Sequence, residues 1–471
     1  MPLFTIACAS PPLPPDLPAH SLGLPDHFRA SGKQVARPRW WQSFDDPELD
    51  RLVQMALHGS PDLQATLWRL RQAEASARGA RSGLWPGITA SLENTQQHRS
   101  SGSDADVSGG QGDGNLWSGR LAARYEVDLW GRVRAGARAA EADRLAQQQD
   151  LQTAALSLAA EVSNTWLQLR EQWGQHALLA QQLDTNRKSL RVLELRFGGG
   201  VTSAADVLQQ RQLVQQSEQE LQAAEQNLES LKVQLAALLG VTGERLAQVL
   251  QREQGLPVLP ALPATGVPSQ LLLRRPDVQR AQRQLLAGYY LADRAWADRL
   301  PVISLSAVAS DGASFANLFQ DWLLTLTAAA EGVLFDGGQL KLAQDRQDAV
   351  LQERWANYRA VVNNALAEVE QALVQERALR DRIHHLGERA RLADEIVVRQ
   401  RRAYSGGSVD FLNVLTATNS QQSLARQLLT ARRELMENRV TLYRALSGGL
   451  PQEDLPEPQP VELELYREGQ G

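Results

Sequence analysis

Residues 196–208 read RFGGGVTSAADVL, and 207 positions further on residues 403–415 read AYSGGSVDFLNVL. In both segments glycines interrupt a long helical pattern, which resumes within a few residues. Glycine ends a helix readily because it adopts positive φ at little steric cost. The sequence therefore predicts two long helical hairpins whose turns lie at these segments.

The similarity extends outward from the turns into an internal duplication. Residues 131–240 align with residues 338–447 at the same offset of 207 and without gaps. Upstream of this block the offset is 215, so the first copy is eight residues longer. The extra length falls in residues 96–115, whose Ser, Gly and Asp content is typical of an exposed loop. Two copies of one unit therefore make up the fold.

The helical part of each copy is long. Residues 132–197 would span about 100 Å as one continuous helix. In the second copy apolar residues recur in alternating steps of four and three, the repeat of a coiled coil, interrupted only at Glu376. The members of this series are Tyr358, Val362, Ala365, Val369, Ala372, Leu379, Ile383, Leu386, Ala390, Ala393 and Val397. Shorter helices are predicted at residues 62–82 and 277–299, each ending before a proline.

Between the short and the long helices of each copy the pattern changes to a period of two. The predicted strands are residues 88–97, 115–129, 302–311 and 322–335. Each is about as long as the roughly 9 to 11 residues of a membrane-spanning strand and has one apolar and one polar face. Four strands cannot close a membrane barrel, because open edges would leave backbone groups unpaired in lipid. Several chains must therefore share one barrel, and the pattern leaves open whether two, three or four chains do so.

Composition and motifs exclude several functional classes. No apolar run reaches the roughly 18 to 20 residues of a membrane-spanning helix. The 49 basic and 54 acidic residues offer no broad basic surface, so nucleic acid is not an expected partner. His384 and His385 are adjacent on a helix and lack a metal-ligand pattern. Since no nucleophile and base stand in a catalytic pattern either, we expect no enzyme activity, no metal and no cofactor.

Four motifs carry a family resemblance: residues 40–49 (WWQSFDDPEL), 126–132 (EVDLWGR), 274–278 (RRPDV) and 334–338 (LFDGG). Each motif is short, but their order on the duplicated strand and helix pattern is specific. Through them the chain resembles the TolC-like outer-membrane factors, most closely the OprM/NodT outer-membrane efflux lipoproteins. The resemblance covers most of the chain, from residue 11 to about residue 450.

The resemblance implies a fold and a function. The implied fold is an α+β membrane protein in which a homotrimer forms a twelve-stranded β-barrel in the outer membrane and an α-helical tunnel in the periplasm. The implied function is a passive exit duct for drugs or other small toxic compounds. Energy would come from an inner-membrane pump, expected to be proton-driven, that works through a periplasmic adaptor. The nearest alternative is a type I protein-secretion channel, and a more distant one is a non-conducting trimeric scaffold or adhesin.

The resemblance also gives the turns a role as the tips that dock the adaptor. The residues concerned are Phe197, Gly199, Gly200, Val201, Thr202, Ser203, Tyr404, Gly406, Gly407, Ser408 and Val409. A helix-turn-helix corner without a partner would explain the same residues. Within the turns, Ser203 with Asp206 and Asp410 with Asn413 have the three-residue spacing of helix-capping pairs.

The periplasmic gate of the family is expected near the same turns. Its candidates here are Asp206, Asp410, Leu412, Leu415 and Thr416. Thr416 stands where the OprM-type pattern has an aspartate, and Asn419 where it has a basic residue, so an ion-pair lock is not expected. Leu415 fits ordinary coiled-coil packing equally well.

The single cysteine, Cys8, is a candidate for lipid attachment. It follows a short apolar segment and precedes a Pro-rich one, as in a bacterial lipoprotein. The match is partial, because no Lys or Arg precedes it and Thr5 stands where such motifs usually carry Leu. A free cysteine in a disordered tail is the alternative.

These patterns divide the chain into consecutive segments. They are an N-terminal tail with the possible lipid tether (1–39), a first helical segment (40–87), a first β-hairpin (88–130), a first coiled-coil hairpin (131–240), a linker with a second helical segment (241–301), a second β-hairpin (302–335), a second coiled-coil hairpin (336–447) and a C-terminal tail (448–471).

Overall fold

A computed structural model of the protein describes residues 25–35, 37–97, 114–250, 255–313 and 322–458. Cys8 and most of the predicted loop at residues 96–115 lie outside these ranges. Within the described ranges, none of the helices combines the length and the apolar character needed to cross a membrane.

The described residues form nine α-helices. They are α1 (Pro47–Gly59), α2 (Pro61–Ser82), α3 (Arg132–Gly198), α4 (Ala204–Leu239), α5 (Gly243–Val249), α6 (Pro268–Arg274), α7 (Pro276–Ala297), α8 (Gln339–Ser405) and α9 (Phe411–Leu446). Helices α3 and α8 have 67 residues each, which corresponds to about 100 Å. The long continuous helices predicted for both copies are thereby confirmed. Short 3-10 helices occupy Trp40–Phe44 and Gln452–Asp454.

Prolines start several of the shorter helices. Helices α1, α2, α6 and α7 each begin with a proline, whose missing N–H is harmless in the first turn of a helix. Helix α1 is also capped by Asp46, whose side chain accepts hydrogen bonds from the backbone N–H groups of Glu48 and Leu49. Local sequence therefore sets these helix starts.

The described strands are β1 (Gln34–Val35), β2 (Gly87–Gln97), β3 (Gly114–Val127), β4 (Pro263–Ala264), β5 (Val302–Ala313) and β6 (Leu323–Glu331). Strands β1 and β4 form a short parallel pair. The other four form one antiparallel sheet in the order β2-β3-β5-β6, so the hairpins of the two copies join through β3 and β5. Strand β6 ends at Glu331 rather than at the predicted residue 335, and the chain reaches α8 through positive-φ glycines at Gly337 and Gly338.

The described residues fall into two compact units that cut across the duplication. The first unit combines Leu70–Gln147 with Arg280–Tyr358 and contains the four-stranded sheet. The second contains both helical turns. Each unit takes equivalent stretches from both copies, so a copy is not a separately folded domain. The division into consecutive segments made above stays a prediction.

An aromatic cluster fills part of the second unit. Trp40, Trp41 and Phe44 are buried, and the Trp40 ring stacks on Tyr443 with 6.1 Å between ring centroids. Next to them, Asp46 accepts a hydrogen bond of 2.8 Å from Nε1 of Trp166 and forms an ion pair with Arg170. The WWQSFDD motif thus contributes to the core of this unit.

Nine of the eleven residues in the apolar series of α8 are buried, as its period predicts, while Ile383 and Ala390 are partly buried. Tyr358, Val362, Ala365, Val369, Ala372, Leu379, Leu386, Ala393 and Val397 are all buried. Glu376, which interrupts the series, is buried as well and lies 2.5 Å from the guanidinium of Arg439, a side chain with no exposed surface. The acidic residue that interrupts the apolar series therefore forms a buried ion pair with a residue of α9.

Candidate functional sites at the turns and on the sheet

The first turn ends α3 in a Schellman motif. Gly200 has φ of 71°, and its N–H donates to the carbonyl oxygen of Phe197 at 2.9 Å. The N–H of Val201 donates to the carbonyl oxygen of Arg196 at 2.9 Å. These two bonds satisfy carbonyl groups that the end of a helix leaves unpaired.

The second turn repeats this geometry 207 positions later. Gly407 has φ of 75°, its N–H donates to the carbonyl oxygen of Tyr404 at 3.1 Å, and the N–H of Ser408 donates to that of Ala403 at 3.0 Å. The turns predicted from the glycines are confirmed at both places. A side chain at either positive-φ glycine would be strained.

The two turns differ in how the next helix is capped. In the first turn Ser203 Oγ accepts from the N–H of Asp206, and Asp206 Oδ2 accepts from the N–H of Ser203, both at 3.2 Å. In the second turn Asp410 occupies the N-cap position of α9, but its side chain makes no capping bond. The predicted side-chain cap at Asp410 is wrong, because the N–H of Asn413 donates instead to the backbone carbonyl of Asp410 at 3.1 Å.

Asp206 is held as a carboxylate by its neighbours. Burial raises the pKa of Asp206, but hydrogen bonds from the hydroxyl of Thr202, at 2.7 Å, and from Ser203 outweigh this effect and lower the pKa below its usual value. The group is therefore ionised at neutral pH.

The turns contact each other through Tyr404. Its hydroxyl lies 3.1 Å from Oγ1 of Thr202, and its ring lies 4.7 Å from the guanidinium carbon of Arg196 and 5.5 Å from the ring of Phe411. Sequence reasoning missed the parts played by Arg196 and Phe411. One difference between the copies could have pointed to the Tyr404 contact. The first copy has Phe197 at the position of Tyr404, and only the tyrosine has a hydroxyl that can bond to Thr202.

The predicted docking residues differ in exposure. Phe197 and Val201 are large apolar residues that are 49% and 65% exposed. Four glycines and two serines of the set are exposed, namely Gly199, Gly200, Gly406, Gly407, Ser203 and Ser408. Thr202, Tyr404 and Val409 are partly buried. Exposed large apolar surface is thus found mainly in the first turn.

The gate candidates are also placed differently. Leu412 is 55% exposed, and Asp410 and Thr416 are exposed as well. Leu415 is partly buried against Leu193, Val207, Phe411 and Val414. Among the candidate residues, Leu412 and Leu415 therefore form a contrasting pair of one exposed and one packed leucine.

The sheet of the first unit has two chemically different faces. One face carries large exposed apolar side chains, which are Ile88, Leu92, Leu121, Tyr125, Leu305, Leu324 and Leu326. In the described strands the other face carries mainly Ser and Thr side chains, together with two arginines, Arg120 and Arg124, and three glutamates, Glu93, Glu126 and Glu331. Within the described part of the chain, β2 and β6 each have a neighbouring strand on one side only.

Comparison with known proteins gives concordant matches. The family model described as outer membrane efflux protein matches residues 52–241 and 267–448. The pyoverdine export outer membrane protein OpmQ of Pseudomonas aeruginosa is 34% identical over 454 residues, which cover 94% of this chain and 94% of OpmQ. Outer membrane protein OprJ of the same organism is 31% identical over 425 residues, which cover 87% of this chain and 86% of OprJ.

A solved structure has the same fold. The outer membrane protein VceC from Vibrio cholerae superposes with a TM-score of 0.81 at 25% identity, covering 88% of this chain and 100% of the VceC chain. The family is described as outer membrane efflux proteins, and OpmQ is named as an export protein of the outer membrane. With the duplicated helical hairpins and the strand sheet, the matches confirm the resemblance seen in the motifs: the chain belongs to the outer membrane efflux protein family and serves as an efflux channel of the outer membrane.

Proposed function

We propose that three copies of the chain form a passive exit duct for small toxic compounds, which a proton-driven inner-membrane pump delivers through a periplasmic adaptor. The observation that carries the proposal is the four-stranded sheet with an uncovered apolar face. Such a face is stable next to lipid, and the outer edges of β2 and β6 need partner strands there. Twelve strands from three chains would supply those partners in a closed barrel.

The internal duplication supports contact between copies of the chain. Helices α3 and α9 meet in the second unit, where Gln175 Nε2 donates to Thr430 Oγ1 at 3.2 Å and Gln182 Nε2 donates to the carbonyl of Gln422 at 3.3 Å. Gln175, Gln182 and Gln422 are buried in this contact.

The equivalent residues on the other two long helices are uncovered. Displaced by 207 positions, Gln175 and Gln182 correspond to Arg382 and Arg389 of α8, and Gln422 corresponds to Gln215 of α4, and all three are exposed. Likewise the fully buried Leu167 and Val440 correspond to Val374 and Val233, which are 45% and 69% exposed. Because the copies share one structure, we propose that α8 of one chain contacts α4 of the next as α3 contacts α9.

The helical turns are the proposed docking surface for the adaptor. They present backbone at the exposed glycines and apolar side chains at Phe197 and Val201. Exposed apolar residues next to exposed polar backbone suit a protein partner, since burying the former removes apolar surface from water. The same end of the helices is the proposed gate, with Leu412 as its apolar candidate and Asp206 and Asp410 as its polar ones.

The relatives support a small-molecule cargo. One of them is named for the export of pyoverdine, and we propose that this chain likewise passes small molecules rather than proteins. We also propose that Cys8 carries a lipid, which would add an anchor to the membrane attachment provided by the strands.

Mass and conductance of the purified chain test the proposal together. In detergent we expect a particle of three chains, and in a planar bilayer we expect ion conductance. Expression in a strain without its own outer-membrane channel, together with a cognate pump and adaptor, should restore efflux. A monodisperse monomer or dimer would contradict the twelve-stranded barrel, and a trimer without conductance would contradict the duct.

A further inference from the structure

We infer that the duct favours anions, because Arg120 and Arg124 form a cationic band on the polar face of the strand sheet. The inference rests on the proposed function, in which the apolar face meets lipid and the polar face lines the passage. It concerns the class of cargo and adds a site that lies apart from the helical turns.

Strand register places the two arginines on one face. Residues that pair across antiparallel strands point to the same side, so each rung of the sheet can be followed across its strands. Three successive rungs are Ser91–Arg120–Ser310–Leu323, Thr89–Ala122–Val308–Thr325 and Gly87–Arg124–Ser306–Thr327. These rungs contain two guanidinium groups and no carboxylate.

No ion pair neutralises the positive charges of the two arginines in the described structure. Both side chains are exposed, and within the described part of the chain neither guanidinium forms an ion pair or a side-chain hydrogen bond. Glu126, two residues beyond Arg124, is engaged by Arg132 at 2.5 Å. Glu331 pairs with Val302, and Arg124 pairs with Ser306. Val302 lies four residues before Ser306, so Glu331 lies about 13 Å further along the sheet than the rung of Arg124. That distance exceeds the screening length of about 8 Å at physiological salt.

Glu93 is a second carboxylate close to the band, and it serves as an internal control. Glu93 pairs with Ser118 on the rung next to that of Arg120, about 7 Å along the strand, and it is exposed. It lies on the polar face, so its negative charge offsets part of the positive charge of the band. Removing its charge should therefore strengthen the preference for anions.

The fold itself does not require these arginines. At an offset of 207 the second copy has Thr327 in place of Arg120 and Glu331 in place of Arg124, on strands of the same sheet. Since neither guanidinium forms an ion pair or a side-chain hydrogen bond in the described structure, we look for the role of these charges in the solutes that pass along the face.

The chemistry of the band defines the solutes that it favours. Guanidinium groups stay protonated and bind carboxylate, sulfonate and phosphate groups through paired hydrogen bonds. A passage lined by charge of one sign concentrates ions of the opposite sign. In a trimer six guanidinium groups would line the passage, and small organic anions are the solutes that they would concentrate.

The test is the ion selectivity of the purified full-length chain in a planar bilayer under a KCl gradient. We expect the wild type to have a permeability ratio of chloride to potassium above about two. The double variant Arg120→Gln/Arg124→Gln should bring the ratio to about one, and Glu93→Gln should raise it above the wild-type value. The variant Arg120→Lys/Arg124→Lys should keep the wild-type preference, since it keeps the charge.

A matched control removes a charge elsewhere. Arg29, in the second unit, is exposed and paired with Glu370 at 3.0 Å, and Arg29→Gln should leave the ratio unchanged. A wild type that passes potassium preferentially, or a conducting double variant with an unchanged ratio, overturns the anion preference and leaves the duct intact. A trimeric chain that never conducts overturns the proposed duct and with it the inference.

Discussion

Asp46 is a side chain on which several parts of the second unit converge. It caps α1, accepts a hydrogen bond from Trp166 and pairs with Arg170. Both members of the ion pair are buried, so removal of one leaves the other charge without a partner in a poorly solvated place. Sequence reasoning placed Asp46 within a family motif without assigning it this ion pair.

We expect Asp46→Ala to destabilise the protein by about 3 to 5 kcal/mol, seen as a large drop in the thermal midpoint of the detergent-solubilised protein. The matched control is Asp345→Ala, which removes the exposed partner of Lys341 and should cost at most about 1 kcal/mol. Equal, small shifts for both variants would contradict a structural role for the buried pair.

Gly200 tests the importance of backbone geometry at the first turn. Because its φ is positive, Gly200→Ala should strain the turn by about 1 kcal/mol and displace the exposed loop. We expect normal amounts of assembled protein in the outer membrane, with reduced cross-linking to the adaptor and reduced efflux. Gly198→Ala is the control, since Gly198 has ordinary φ and open space around it. Full efflux by both variants would show that docking does not depend on the turn.

Leu412 and Leu415 separate a gate from ordinary packing. If exposed Leu412 forms part of an apolar constriction, Leu412→Ser should raise the ion conductance of the isolated channel several-fold. Leu415→Ser should instead reduce thermal stability by a few kcal/mol, because Leu415 packs against a buried cluster. Higher conductance in Leu415→Ser with no change in Leu412→Ser would reverse the assignment.

At the scale of elements, both junctions from strand to long helix use an aspartate in the same way. Asp128 accepts hydrogen bonds from the N–H groups of Val133 and Arg134 at 3.0 and 2.9 Å, at the start of α3. Asp336 accepts from those of Gly338 and Leu340, both at 2.8 Å, at the start of α8. The EVDLWGR and LFDGG motifs are therefore signals that end a strand and cap a helix.

The proposed contact between α8 and α4 of neighbouring chains leads to a cross-linking prediction. Within one chain Gln168 Nε2 of α3 donates to Glu437 Oε1 of α9 at 2.7 Å. At an offset of 207, Gln168 corresponds to Gln375 of α8, and Glu437 corresponds to Ser230 of α4. A chain carrying Gln375→Cys and Ser230→Cys should form trimers with a short bismaleimide reagent, visible on a denaturing gel.

The control for that experiment keeps Gln375→Cys and moves the second cysteine to Gln219, about 16 Å along α4. This pair should give little cross-linked product, as should each single variant. Equal trimer yields from both pairs would mean that the product reflects random collision, and the proposed register would be wrong.

At the scale of the whole molecule, the proposed lipid on Cys8 would add to the membrane attachment that we propose for the strands. We expect Cys8→Ser to abolish labelling of the protein by a fatty-acid analogue, while most of the protein still sediments with outer membranes. If the wild-type protein takes up no fatty-acid label, the proposal that Cys8 carries a lipid is wrong. A soluble Cys8→Ser variant would show that the strands do not suffice for attachment.

Duplication also explains how one chain supplies two compact units. Each unit draws on the matching stretch of both copies, and the long helices α3 and α8 have residues in both units. The four-stranded sheet is shared by the two copies, since β3 of the first copy pairs with β5 of the second. We infer that the two copies fold together.

Much of this arrangement was predictable from local pattern. The glycine turns, the lengths of α3 and α8, the alternating strands and the 207-residue repeat follow from periodicity and from φ preferences, which depend on neighbours along the chain. Contacts between distant residues were not predictable in this way. Asp46 meets Arg170 across 124 positions and Glu376 meets Arg439 across 63, because packing brings them together. At Asp410 the local spacing favoured a side-chain cap, yet in the folded chain the backbone carbonyl takes the donor, so local spacing was not sufficient to predict the cap.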